Sequence, residues 1–173
     1  MESSITKEEF DEIFKLMQKS FPESEYRPYE QQFKLLKVKE YKILTQYDGS
    51  GNLKAFAAIW DFPKFLFVEH LAVNPIYRGG GIGTKIMKDL IKSCNKRVIL
   101  EIEPPQNEIS IKRLQFYERL GFHICNYEYY QKPLREGQGQ LRLNLMSYPD
   151  FLDKNSFDYI NDYLRKYAYK PIS

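Results

Sequence analysis

Residues 67–87 read FVEHLAVNPIYRGGGIGTKIM, an apolar strand pattern that passes through an Asn-Pro turn and a glycine cluster into an amphipathic helix. The turn is the informative part. A glycine-rich passage from strand to helix leaves backbone N–H groups free at a helix N-terminus, where hydrogen bonds and the helix dipole both favour a phosphate. Without Cβ atoms at Gly79, Gly80, Gly81 and Gly83, the main chain can approach a diphosphate closely.

Spacing argues against two phosphate-binding patterns. A mononucleotide loop closes on Lys followed by Ser or Thr, whereas here Thr84 precedes Lys85 and Ile86 follows. A dinucleotide turn needs G-x-G-x-x-G directly after the strand, but Thr84 takes the third glycine's place and residues 74–78 intervene. Glu101 would suit a ribose hydroxyl in that second pattern; the glycine spacing does not.

What remains is Arg78-x-x-Gly81-x-Gly83, entered from Leu71-Ala72-Val73, followed later by RLQFYERLGFHI at residues 113–124. In that order, one strand apart, the two segments resemble the GNAT superfamily of acyl-CoA-dependent N-acetyltransferases. The resemblance implies an α/β GNAT fold as a single domain over residues 1–173, with a mixed, mostly antiparallel sheet, a splayed parallel pair and helices on both faces. It also implies acetyl-CoA as cosubstrate. Its pyrophosphate would lie over the backbone of Gly79, Gly80, Gly81, Ile82, Gly83 and Thr84 beside Arg78, and its pantetheine arm along Leu71 and Val73.

Transfer of an acetyl group to an amine needs a proton acceptor and a proton donor. A primary amine with a pKa near ~10.4 is about one part in a thousand neutral at pH 7, so a base helps directly. Some relatives that act on small amines carry a glutamate at the position of Glu69, which makes it the candidate base, directly or through water. The plainer reading of Glu69 is a solvated strand acid or a partner for a lysine. His70 alternates to the opposite face and could share a role with Glu69 only across a bulge. Tyr117, in Phe116-Tyr117-Glu118, aligns with the family's general acid for the leaving thiolate. Ser110 stands seven residues earlier, where many relatives place a cofactor-contacting Asn; Asn107 is near enough to substitute.

Composition narrows the setting. A chain of 173 residues with 43% hydrophobic side chains supports one well-buried core. The net charge of +3 comes from 26 basic and 23 acidic residues scattered along the sequence, which does not indicate nucleic acid. Cys94 and Cys125 have neither metal-ligand nor disulfide spacing, so no metal is expected. The acidic start and the lack of a long apolar run lead to the expectation of a cytoplasmic chain with no membrane partner.

The functional expectation is acetylation of a small-molecule primary amine by direct attack in a ternary complex, since neither cysteine lies in either motif to form an acyl-enzyme. Two alternatives stay open: a non-catalytic acyl-CoA-binding module, and acetylation of a peptide or protein amine. Glu101 and Glu103 alternate onto one face and would favour a cationic acceptor.

Periodicity predicts helices over residues 4–20, 28–38, 82–94, 109–120 and 151–167, and strands over 41–47, 53–60, 64–73, 98–102, 122–130 and 141–148. Thr6 and Glu9 form a capping box in sequence. Phe157, Ile160, Leu164 and Tyr167 make a stripe suited to packing or to a homodimer surface.

Overall fold

The computed structural model describes residues 5–171; residues 1–4 and 172–173, among them the expected helix start at residue 4, lie outside the described residues. Helix α1 (Lys7–Ser20) starts at Thr6. The Thr6 hydroxyl accepts from the Glu9 N–H at 3.2 Å and the Glu9 carboxylate accepts from the Thr6 N–H at 2.8 Å, a reciprocal cap that contributes about 1 kcal/mol. Phe10, Ile13, Phe14, Leu16 and Met17 are buried, each contributing roughly 1.5–3 kcal/mol of apolar transfer.

The second helix is shorter than its pattern suggests. Helix α2 (Tyr29–Lys34) is followed by a 3₁₀ turn, Leu35–Lys37; so short a helix is marginal alone, and its last turn tightens. Gln32 tethers it by donating to the Tyr41 hydroxyl at 2.9 Å and accepting from the Arg27 N–H at 3.2 Å.

Strands β1 (Tyr41–Tyr47), β2 (Leu53–Asp61) and β3 (Phe65–Val73) form an antiparallel meander. Helix α3 (Ile82–Ser93) crosses over to β4 (Arg97–Ile102), which runs parallel to β3. Helix α4 (Glu108–Arg119) leads to β5 (His123–Ile124), β6 (Tyr129–Gln131) and β7 (Leu141–Tyr148). The sheet order is β1-β2-β3-β4-β7-β5, with β6 also on β7. One apolar cluster packs beneath α1 and the C-terminal helix; a second, around Ile86, Met87, Leu90 and Tyr117, packs beneath α3 and α4.

Two further expected elements differ. The strand expected over 122–130 is broken, because six residues from Ile124 to Tyr129 run opposite only four from Met146 to Leu143. The surplus leaves the ladder where Tyr127 packs on Phe157, ring centroids 5.2 Å apart. The last helix, α5 (Lys154–Tyr163), starts three residues late, because the Asp153 carboxylate accepts from the Ser156 N–H at 2.7 Å and sets the N-cap there. It ends in a π-helical turn, Leu164–Ala168. Phe157, Ile160 and Leu164 are buried in the core while Tyr167 is exposed.

Two irregularities in β3 position the site. First, β3 and β4 pair only from Phe65–Arg97 to Val68–Leu100 and then part, so the sheet opens into a V. Second, Ala58 pairs with His70 while Ile59 pairs with Val68, leaving Glu69 as the extra residue of a β-bulge. The side chains record the switch: Leu66 and Val68 face the α3–α4 cluster before the bulge, and Leu71 and Val73 face it afterwards. Strict alternation would have separated these two pairs.

Candidate active site

The glycine loop is held at its approach. Asn74 N–H donates to Lys54 O at 2.8 Å, and the Tyr77 hydroxyl donates to Asp48 at 2.6 Å. Gly79 and Gly81 have φ of 86° and 75°, a region that side chains with a Cβ rarely adopt. A Cβ built on either would meet nothing within 4 Å. Lys85 N–H donates to Gly81 O at 2.9 Å as the first bond of α3; among the described residues, no protein acceptor bonds the N–H groups of residues 79–84. Free donors, open space and a helix N-terminus together fit a diphosphate.

A cleft of about 470 Å³ runs from this loop along β3 to α4, lined by Leu71, Val73, Arg78, Gly79, Gly81, Ile82, Gly83, Thr84, Phe116 and Tyr117 among others. Because the Asn74 N–H faces β2, alternation turns the main-chain groups of Val73 and Leu71 to the edge that β4 has vacated. Arg78 Nε donates to Val73 O at 3.1 Å, which lays the arginine along the strand end at the cleft mouth. Gly80 is in the loop but does not line the cleft.

Ser110 is not brought into this group. Its hydroxyl accepts from the N–H groups of Gln106 and Asn107, both at 3.0 Å, and donates to Asn107 O at 3.1 Å. The Asn107 carboxamide in turn accepts from Ser110 N–H at 2.9 Å. Both side chains close the start of α4.

Tyr117 lies where the cleft meets a second, smaller pocket of about 40 Å³; Phe21, Leu71, Arg113 and Tyr117 line both. Burial pushes the Tyr117 phenol up to about 12, so it stays protonated through the neutral range.

The inner pocket is rich in acids: Glu25, Glu69, Glu101 and Glu103 all line it. Glu69 Oε1 accepts from Arg27 at 2.9 Å with its side chain 1% exposed, so it is neither a solvated acid nor a lysine partner. The bulge brings Glu69 and His70 to one side, with His70 Nδ1 3.7 Å from Glu69 Oε2. His70 Nε2 donates to Glu25 O at 2.7 Å. Glu101 accepts from Tyr129, from Tyr169 at 2.7 and 2.8 Å, and from Gln131 at 3.0 Å. Burial raises its carboxyl to about 7, against the hydrogen bonds that favour the ionised form. Glu103 pairs with Arg113 at 2.7 Å.

Glu25 differs from the other three. No donor among the described residues bonds its carboxylate, and burial raises it to about 7, with Glu103 adding to the rise and Arg113 opposing it. It sits in a 3₁₀ turn, Glu23–Glu25, which forms one wall of the pocket. That wall is gripped from outside: Arg135 Nε donates to the carbonyls of Glu23 and Tyr26 at 2.9 and 3.2 Å, and Gln138 donates to Ser24 O at 3.0 Å. Glu25, Arg27, Gln131 and Tyr169 were missed in the sequence because nothing local marks them; they meet only in the fold.

A glycine loop at a helix start, a splayed parallel pair and a tyrosine at the junction of two pockets define an acyl-CoA-dependent acetyltransferase scaffold. Residues 8–122 match the profile of the Acetyltransferase (GNAT) family, and the chain belongs to that family. A solved structure from Bacteroides thetaiotaomicron, described as a GNAT-family acetyltransferase, is 30% identical, with a TM-score of 0.85 over 95% of this chain and 94% of that one. YjbC of Bacillus subtilis (strain 168), named as an acetyltransferase, is 33% identical over 119 residues, 64% of this chain and 60% of YjbC. Glucosamine 6-phosphate N-acetyltransferase of Trypanosoma brucei brucei is 31% identical over 88 residues, 44% of this chain. The chain thus spans 60% and 54% of these two curated relatives. No helix among the described residues is long and apolar enough to cross a membrane.

Proposed function

We propose that the protein transfers an acetyl group from acetyl-CoA to the primary amine of a small cationic molecule held in the acid-lined pocket. The observation that carries this reading is that the cleft and that pocket adjoin at shared lining residues, Phe21, Leu71, Arg113 and Tyr117. Acetyl-CoA supplies the activated thioester. The residue 79–84 amides and Arg78 hold its diphosphate, and the vacated edge of Leu71 and Val73 receives its pantetheine arm.

Tyr117 holds a proton at its hydroxyl and gives it to sulfur as the carbon–sulfur bond breaks. The amine nitrogen bonds to the acyl carbon and must lose a proton. Glu101 is fully bonded, Glu103 is paired with Arg113 and Glu69 with Arg27; the carboxylate with no donor is Glu25. Its raised value near 7 suits a base that accepts a proton at neutral pH. Glu69, the base expected from the resemblance, acts in this reading as fixed negative charge that draws the cation in.

The test is incubation with acetyl-CoA and a panel of amines, reading free thiol. Amine-dependent release supports the reading. Coenzyme A binding with no release under any acceptor would instead favour a binding module.

A further inference from the structure

The glycine loop contributes little to its own order. Among the described residues, no protein acceptor bonds the N–H groups of residues 79–84, and four of those six residues are glycines, the residue type with most conformational freedom to lose. The geometry of the loop is therefore set at its two ends. Downstream, α3 begins and Gly83 lies against Phe116 and Val73, where a built Cβ would meet each at 3.5 Å. Upstream, the β1–β2 hairpin holds residues 74–77. Asn74 N–H donates to Lys54 O at 2.8 Å and the Asn74 carboxamide donates to Leu53 O at 3.2 Å. The Tyr77 hydroxyl donates to Asp48 Oδ2 at 2.6 Å across 29 positions of sequence. Of these bonds only the last joins two side chains, and it acts on the residue next to Arg78.

Asp48 is itself held fast. Its Oδ1 accepts from the N–H groups of Ser50 and Asn52 at 2.8 and 2.9 Å, which closes the hairpin turn. Its Oδ2 accepts from Asn52 Nδ2 at 3.0 Å. The main-chain donors of the turn are satisfied through Oδ1 alone, and Oδ2 is the oxygen that reaches outside the hairpin. Hydrogen bonds from Tyr77 and Asn52 hold the Asp48 carboxyl well below the usual carboxylate range, so the bond to the phenol keeps its charge assistance at neutral pH. Tyr77 lines the cofactor cleft, and Asp48 does not.

We propose that Asp48 is a positioning residue for coenzyme A: through the Tyr77 hydroxyl it fixes where the glycine loop presents its N–H groups to the diphosphate. This step rests on the diphosphate lying over residues 79–84, as in the function proposed above. A loop free to take several arrangements binds with an affinity reduced by the fraction of chains in the receptive one. The bond from Tyr77 to the hairpin keeps that fraction high, so the glycines are ordered on folding and not on binding.

The experiment is calorimetry with coenzyme A on the unaltered protein, Tyr77→Phe, Asp48→Ala and the double variant, with unfolding midpoints alongside. Tyr77→Phe keeps the ring and removes the hydroxyl; Kd should rise roughly three- to tenfold. Asp48→Ala should weaken binding as well, and the double variant should bind no more weakly than the weaker single one, because both changes remove the same interaction. In thiol release with an amine that the unaltered enzyme acetylates, Asp48→Ala should raise KM for acetyl-CoA and leave kcat. An unaltered Kd in Tyr77→Phe, whatever its midpoint, or additive losses in the double variant would overturn the role. Gly81→Ala separates that failure from failure of the diphosphate placement. Weaker coenzyme A binding by Gly81→Ala beside an unaltered Kd in Tyr77→Phe leaves the placement standing, and an unaltered Kd in both ends the placement too. Should Asp48→Ala not fold, Tyr77→Phe decides alone.

Discussion

Arg27 Nη1 lies 2.9 Å from Glu69 Oε1, with 3% and 1% of the two side chains exposed, while the other oxygen of Glu69 has no hydrogen-bond partner among the described residues. A second guanidinium nitrogen of Arg27 donates to Ala168 O at 2.6 Å. The pair therefore joins the bulge in β3 to the C-terminal turn, and its charges are out of reach of water. Losing Arg27 strands a buried carboxylate, so Arg27→Met should cost about 3–5 kcal/mol. Adding Glu69→Gln should return a large part of it. Urea unfolding measures both, and a double variant no more stable than the single one would show that the cost lies elsewhere.

Tyr117→Phe removes the proton held at the pocket junction and keeps the ring. Single-turnover acetyl transfer should fall by roughly 10²–10⁴-fold, with coenzyme A affinity by calorimetry almost unchanged, since the contacts proposed for the diphosphate are the amides of residues 79–84 and Arg78, not the Tyr117 hydroxyl. An undiminished rate would rule out the role.

Glu25 should leave its mark on the pH profile. Below about 7 its carboxyl is protonated and cannot accept a proton, so kcat/KM should climb as pH rises toward that value and then level off. Glu25→Gln should lower the rate and flatten the climb. A profile of unaltered shape in the variant would exclude Glu25 as the base.

The glycine loop offers a separation of fold from binding. Gly81→Ala places a Cβ where φ is 75° and the space is open, so the backbone strain should cost about 1 kcal/mol. The methyl would enter the region proposed for the diphosphate. Coenzyme A affinity should drop by roughly tenfold or more while the unfolding midpoint moves little; the reverse pattern would mean the glycine serves only the turn.

Glu101 predicts a stability trend with a definite sign. Its folded value is raised from 4.5 to about 7, so between those values the folded chain keeps a proton that the unfolded chain has released. Stability is then fully present below the unfolded value and declines as pH rises through 7, by about 3 kcal/mol; Glu25 adds a decline of the same sign. Unfolding midpoints at pH 5 and pH 8 should differ accordingly, and Glu101→Gln should reduce the difference. An equal slope in that variant would exonerate Glu101.

Much of the scaffold is legible in the sequence because it rests on local chemistry. The Thr6–Glu9 cap, the meander of β1 to β3 and the glycine loop each follow from residues within a few positions of one another. The family resemblance supplied the parting of β3 from β4, which periodicity alone does not encode. The inner pocket was less readable. A one-residue bulge at Glu69 reverses the facing of everything after it and leaves no mark in composition. Arg27 and Glu69 are partners across 42 positions, and Glu25 sits in a turn held by residues more than a hundred positions away. Ser110 shows the converse: a residue that family position assigned to the cofactor is engaged by its own helix start.

The grip of Arg135 and Gln138 on the turn at Glu23–Glu25 is made through the carbonyl oxygens of Glu23, Ser24 and Tyr26 and through an ion pair of Arg135 with the Glu23 carboxylate at 3.2 Å. None of these bonds uses the Glu25 side chain, the one that lines the pocket. Anchorage of the wall and the proton acceptor proposed on it are thus separable, and a change at Glu25 probes the chemistry without unfastening the turn.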